Sequence, residues 1–257
     1  MTTRTSQARR SRRLHVPPQH GAWAFLLVPL VTAATLGAAT WVGLLFAVTW
    51  VLAYPTSYFG SRAVMTRLRR HEWSRMATRE RSYAMPWAIL FGVAALTLIA
   101  LRPWIVIPGV VVGIIWSASA VLTWKGRERG IANDLILVVL SALAAPLMWA
   151  AAVDQFDLPA SLWWAAGICA AFFTGSVLHV KSLIREAGDR RWKIASMAYA
   201  VVLAVVAPFV SWWLLPAFAG GAVRAFVLRP GLRPGAIGAV EAVLSVLVVA
   251  GVWLSFR

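Results

Sequence analysis

Apolar runs of roughly 17 to 20 residues, repeated along the chain and separated by arginine-rich segments, constrain this sequence more than any other feature. A helix rises 1.5 Å per residue, so such a run crosses a hydrocarbon layer of about 30 Å. The chain is 60% hydrophobic with a mean hydropathy of +0.73. Soluble domains are about 45–50% apolar, so the excess is too large for one buried core. The 13 prolines and 18 glycines do not argue against helices, because both are commoner in membrane helices than in soluble ones. The expected fold is therefore an all-α polytopic membrane protein.

Nine spans can be read, at 21–38, 41–60, 84–101, 104–122, 133–151, 160–179, 194–210, 211–228 and 236–255. The stretch 194–228 reads as two short helices meeting near Ser211 and Trp212, with Pro208 and Pro216 on either side. Charge supports that division. With the N-terminus inside, 23 of the 25 lysines and arginines fall on the inner side, leaving Arg102 and Arg257 outside. Merging the two short spans lowers the asymmetry to 21 against four. Excess Lys and Arg in short cytoplasmic segments is the signal that orients membrane helices. It places the N-terminus in the cytoplasm and the C-terminus outside. Trp41, Trp104, Trp163, Trp164, Trp212 and Trp213 fall at the outer ends of spans, where an interfacial aromatic belt belongs.

Residues 1–19 read as a basic, disordered cytoplasmic tail, and 20–257 as one transmembrane helical domain. A formal charge of +16 in a soluble chain would suggest nucleic acid, but here the cations sit between hydrophobic runs. The lipid bilayer is the expected partner, no nucleic acid is expected, and protein partners stay open. Cys169 is the only cysteine, which excludes an internal disulfide and any cysteine-based metal cluster.

Polar groups in or at the edge of a membrane are costly, so each is a functional candidate. Nearly all of them fall at the inner level: Gln19 and His20 before span one, Tyr58 at the end of span two, Asn133 and Asp134 opening span five, and Ser176 and His179 closing span six. Lys181, Arg185 and Glu186 follow, Arg224 closes span eight, and Glu241 lies inside span nine. Asn133 is also a good helix N-cap, and Asp134 suits the positive end of a helix dipole. Glu241 needs a partner such as Arg224 or Lys181, or a proton, to sit in an apolar helix. A polar cavity open to the cytoplasm is the natural expectation.

The segment Pro18-Gln19-His20-Gly21-Ala22-Trp23 resembles the N-terminal signature of the YwiC-like family of bacterial membrane proteins. The run from Gly175 to Glu186 looks like that family's central signature, and Arg233 to Glu241 is similar to its C-terminal one. This resemblance implies a multi-pass membrane protein and lends no reaction. A more distant resemblance is to UbiA-type prenyltransferases, carried by Lys125 after span four and by Glu186-Ala187-Gly188-Asp189-Arg190. It implies a nine-helix bundle with its N-terminus inside and a cavity open to the cytoplasm. Those enzymes hold magnesium with aspartates. Here the loop after span two reads Ser57-Tyr58-Phe59-Gly60-Ser61-Arg62, and the positions eight and four before Asp189 are Lys181 and Arg185. Cations cannot replace the carboxylate oxygens that magnesium needs, so no metal and no cofactor is expected.

Lys181 and Arg185 are four residues apart and share a face if the helix continues. They could bind an anionic group directly, with the arginine supplying a two-pronged fork. The leading expectation is a cytoplasm-facing pocket for a lipidic, isoprenoid or otherwise anionic ligand, lined by Gln19, His20, Tyr58, Asn133, Asp134, His179, Lys181, Arg185, Glu186, Arg224 and Glu241. The alternatives are a divergent prenyl- or lipid-transferring enzyme, using Glu241, Asp134 or His179 as acid or base, and a small transporter. Whether the protein is an enzyme stays open at this level.

Overall fold

A computed structural model describes residues 15–17, 20–70, 72–128 and 130–257, apart from the side chains of residues 20, 21, 69 and 70. Nine α-helices follow one another among these residues. They are α1 (His20–Ala33), α2 (Trp41–Arg70), α3 (Arg75–Leu101), α4 (Val106–Trp124), α5 (Ile131–Val153), α6 (Ala160–Val180), α7 (Arg190–Val210), α8 (Leu215–Val227) and α9 (Pro234–Phe256). Seven helical stretches are long and apolar enough to cross a membrane, and the two shorter ones run over Ala22–Ala38 and Trp212–Val227. The chain is a multi-pass membrane protein.

The division of residues 194–228 into two helices holds, and its cause is local. Ser211 adopts an extended backbone (φ −166°, ψ 138°), while Pro216 sits in the first turn of α8. Proline cannot donate an amide hydrogen and suits the start of a helix. The break is packed tightly: a Cβ on Gly251 of α9 would come within 2.7 Å of the Trp213 carbonyl oxygen. A second interruption ends α1, where the backbone leaves helical geometry at Leu36 and Gly37. Gly37 has φ +102°, a conformation that a residue with a Cβ rarely adopts.

Residues 61–83 depart from the expected inner loop. Both α2 and α3 continue through most of it as helix, and Ser74 caps α3 by accepting the Ala77 amide hydrogen at 3.3 Å. Hydropathy marks where the membrane ends, not where a helix ends, and Arg, Met, Leu and Ala are all good helix formers. The 30 residues of α2 span about 45 Å, so this helix outreaches a hydrocarbon layer of about 30 Å. The end of the expected tail is also tied down. His15 stacks on Tyr83 at 3.8 Å, its carbonyl accepts from the Trp87 indole at 3.0 Å, and Pro17 is buried.

The core has two parts. Phe172 and Phe173 of α6 pack with Phe218 of α8 and Leu244 and Val248 of α9. Leu30 of α1, Phe46 of α2 and Met148 of α5 form the other part. α5 is central, and 61% of its apolar stretch is buried against 11% for α3 and α4. Its alanines at 144, 145 and 151 are fully buried, as small residues are where membrane helices approach closely. Outward-facing apolar side chains such as Leu96, Ile107, Val205 and Phe209 are exposed and suit contact with lipid.

Candidate functional site

The ends of the helices that meet near residues 131, 180, 190, 227 and 234 form the basic end of the bundle. Asp134 lies in the first turn of α5. Opposite it, α6 runs into a π-helical turn over Lys181–Arg185, closed by the Glu186 amide donating to the Lys181 carbonyl at 2.8 Å. The wider turn keeps both cations directed at α5. Lys181 Nζ is 2.9 Å and Arg185 Nη1 3.7 Å from Asp134 Oδ2. Lys181 is buried, and its ammonium also lies 5.7 Å from the centre of the Trp192 ring.

Both cations expected to bind an anion meet an acid of the chain itself. They share a face, where Asp134 offsets one of the two positive charges. Only Arg185, whose side chain is 42% exposed, keeps open guanidinium surface.

A second buried group links α6, α8 and α9. Glu241 lies about two turns into α9 and forms an ion pair with Arg224 of α8. Ser176 of α6 donates its hydroxyl to Glu241 Oε2 at 2.7 Å and accepts from Arg224 Nη2 at 3.4 Å. The Arg224 guanidinium also lies 5.8 Å from the centre of the Phe172 ring. Arg224 is the partner that Glu241 requires, and one hydroxyl ties the pair to a third helix.

His179 stands one turn beyond Ser176 on the same face of α6, where residues three apart are neighbours. It is 1% exposed, yet neither ring nitrogen has a hydrogen-bond partner among the described residues. The charges of Arg224 and Lys193 act on it, and its carbonyl accepts from the Ser182 hydroxyl at 2.8 Å. A buried polar group without a partner costs about 1–3 kcal/mol and calls for a cause, such as a ligand, an ordered water or a chemical role.

The remaining expected site residues scatter. Asn133 does not cap α5, because Gly130 holds that position. Its buried side chain instead accepts from Ser119 at 2.6 Å and donates to the Glu128 carbonyl at 2.9 Å, tying α5 to α4 and the turn before it. Tyr58 belongs to an aromatic group on α2 with Tyr54 and Phe59, and accepts from Arg62 at 3.1 Å. Glu186 closes the π turn through its backbone. Gln19 lies outside the described residues, as does the side chain of His20.

Lys193 and Ser182 are functional-end residues that the sequence does not single out. Lys193 Nζ donates to the Leu228 carbonyl at 3.0 Å and to that of Ala225, capping the end of α8. In the sequence it is one more inner cation. At the opposite end of the bundle, Arg102 pairs with Asp154 at 3.2 Å and Trp104 donates to Asp154 at 2.9 Å.

No solved structure matches the chain. A Haemophilus influenzae protein described as uncharacterized is 27% identical over 225 residues, covering 84% of this chain and 87% of its own. The Bacillus subtilis "Uncharacterized protein YwiC" is 24% identical over 213 residues, covering 82% and 84% respectively. The family described as YwiC-like protein matches residues 16–150, which carry α1 to α4 and most of α5. That is just over half of the 257 residues, and with these relatives extending across most of the remaining helices, the chain belongs to the YwiC-like family.

Proposed function

We propose that this protein holds an amphipathic ligand with a polar or anionic head, of quinone-like, isoprenoid or phospholipid type, at the basic end of its bundle. The observation that carries this reading is His179. An imidazole sealed from solvent, with neither nitrogen partnered among the described residues, offers a donor and an acceptor. Its neighbours Ser176, Arg224 and Glu241 are already fixed to one another. Asp134 and Glu241 each have a cationic partner, which favours binding over a free carboxylate acting as acid or base.

The same end faces the cytoplasm in this reading, with the C-terminus outside. The support is the placement of basic residues, together with the resemblance of Glu186 to Arg190 to UbiA-type enzymes, whose cavity opens to that side. After Cys169→Ala, a Trp73→Cys variant is expected to react with a membrane-impermeant thiol reagent only from the cytoplasmic side. A Trp212→Cys variant is expected to react only from outside. The reverse pattern overturns the orientation.

The ligand itself is tested by extraction of the full-length protein, purified in mild detergent, and mass spectrometry of the extract. An amphipathic molecule is expected to co-purify with the native protein. Its amount should fall at least about tenfold, equivalent to about 1.4 kcal/mol, in His179→Phe and more modestly in Arg185→Ala. The same molecules in the same amounts from folded variants would refute the reading.

A further inference from the structure

A cavity of about 350 Å³ opens at the basic end on the far side of the π turn, between the α6–α7 and α8–α9 connections. Ser182 and Lys193 lie on the border it shares with the His179 site, and its other lining residues are separate from that site. Its polar wall carries Arg190, Lys193 and Arg229, with Asp189 as the one acid, and its apolar wall includes Phe226 and Leu228. Three cations against one carboxylate leave a net positive lining.

The acid is already engaged. Asp189 Oδ1 accepts the Arg191 amide hydrogen at 2.8 Å and caps α7. Lys193 uses two of its three N–H bonds on the carbonyls that end α8. The guanidinium groups of Arg190 and Arg229 make no hydrogen bond or ion pair among the described residues. Among the described residues, no carboxylate pairs with either guanidinium, and the wall keeps its net positive charge. It also flanks the first turn of α7, whose amide groups favour an anion.

We infer that this cavity is a binding site for a phosphate group, held by the guanidinium groups of Arg190 and Arg229 and by Lys193. The chemistry fits because guanidinium forks match phosphate oxygens in pairs, while an ammonium group adds a point charge. Phe226 and Leu228 place apolar surface beside the cations, as a molecule with a phosphate head and a hydrocarbon shoulder requires. A phospholipid head group and a free phosphate share the recognised chemistry. The inference goes beyond the ligand at His179 and stands without it.

General attraction of basic segments to anionic lipid is the competing cause, worth about 1 kcal/mol per cation near the surface. Position separates the two. Arg191 and Arg233 carry the same charge close by in sequence but do not line the cavity. The full-length protein in a neutral detergent would be titrated with short-chain phosphatidylglycerol and, separately, with inorganic phosphate, binding being read by native mass spectrometry. The double variant Arg190→Ala/Arg229→Ala is expected to weaken binding at least about tenfold, or about 1.4 kcal/mol. The double variant Arg191→Ala/Arg233→Ala should stay within about twofold of the native protein, or about 0.4 kcal/mol.

Binding of phosphatidylglycerol alone assigns the site to a lipid head group, and binding of inorganic phosphate assigns it to the free ion. Binding of neither, or equal losses in the two double variants, overturns the inference. The His179→Phe variant should bind both probes as the native protein does, so failure of the His179 site leaves this result intact.

Discussion

The basic end of α5–α9 and the extended α2–α3 hairpin use the same residue types in opposite ways. At the bundle end, Arg224–Glu241 and Lys181–Asp134 are withdrawn from solvent and reinforced by Ser176 and Trp192. In the hairpin, Arg62 meets Glu80 at 3.5 Å with nearly half of the arginine side chain exposed, and Arg67 and Arg81 lie over the face of Trp73. The lesson is that cation count does not distinguish an orienting segment from a site. Burial and the number of groups each charge must satisfy do.

Removing one partner from the bundle end should show the largest effect. Arg224→Ala leaves Glu241 unpaired and should destabilise the protein by about 3–5 kcal/mol in denaturant unfolding in detergent, because a buried charge loses its partner. The double variant Arg224→Leu/Glu241→Leu should be less damaging than that single change, since paired removal takes the desolvation cost away with the attraction. Equal or greater damage in the double variant would break the comparison.

Lys181→Met should cost less, about 2 kcal/mol, comparable to losing one charge-assisted hydrogen bond, because Arg185 still reaches Asp134. Ser119→Ala should cost about 1–2 kcal/mol by leaving the buried Asn133 amide oxygen without its donor. Arg62→Ala in the hairpin should shift stability by less than about 1 kcal/mol, as exposed ion pairs do. A loss there as large as that from Lys181→Met would erase the distinction between the two regions.

Much of this architecture is legible in the sequence, for physical reasons that also mark where legibility stops. Membrane thickness fixes the length of an apolar run, so helix number, order and the break at Ser211 can be read. The same hydropathy says nothing about residues 61–83, where helix propensity continues the structure into water. Glu241 announces its need for a partner, because a carboxylate in an apolar helix must be relieved. The pairing of Lys181 and Arg185 with Asp134 is hidden, because α5 and α6 meet only in three dimensions. Asn133 reads as a cap by residue type, yet Gly130 holds the cap position and the Asn133 side chain turns toward α4. Lys193 is indistinguishable from other inner cations until Leu228 is seen beside it.

In the proposed function, a ligand completes the buried imidazole of His179. An experimental density map of the full-length protein, purified in mild detergent without added lipid, tests it most directly. Density for an amphipathic molecule is expected within hydrogen-bond distance, about 2.7–3.2 Å, of a His179 ring nitrogen. A ring enclosed by protein alone, or one bridged by nothing more than an ordered water, would contradict it.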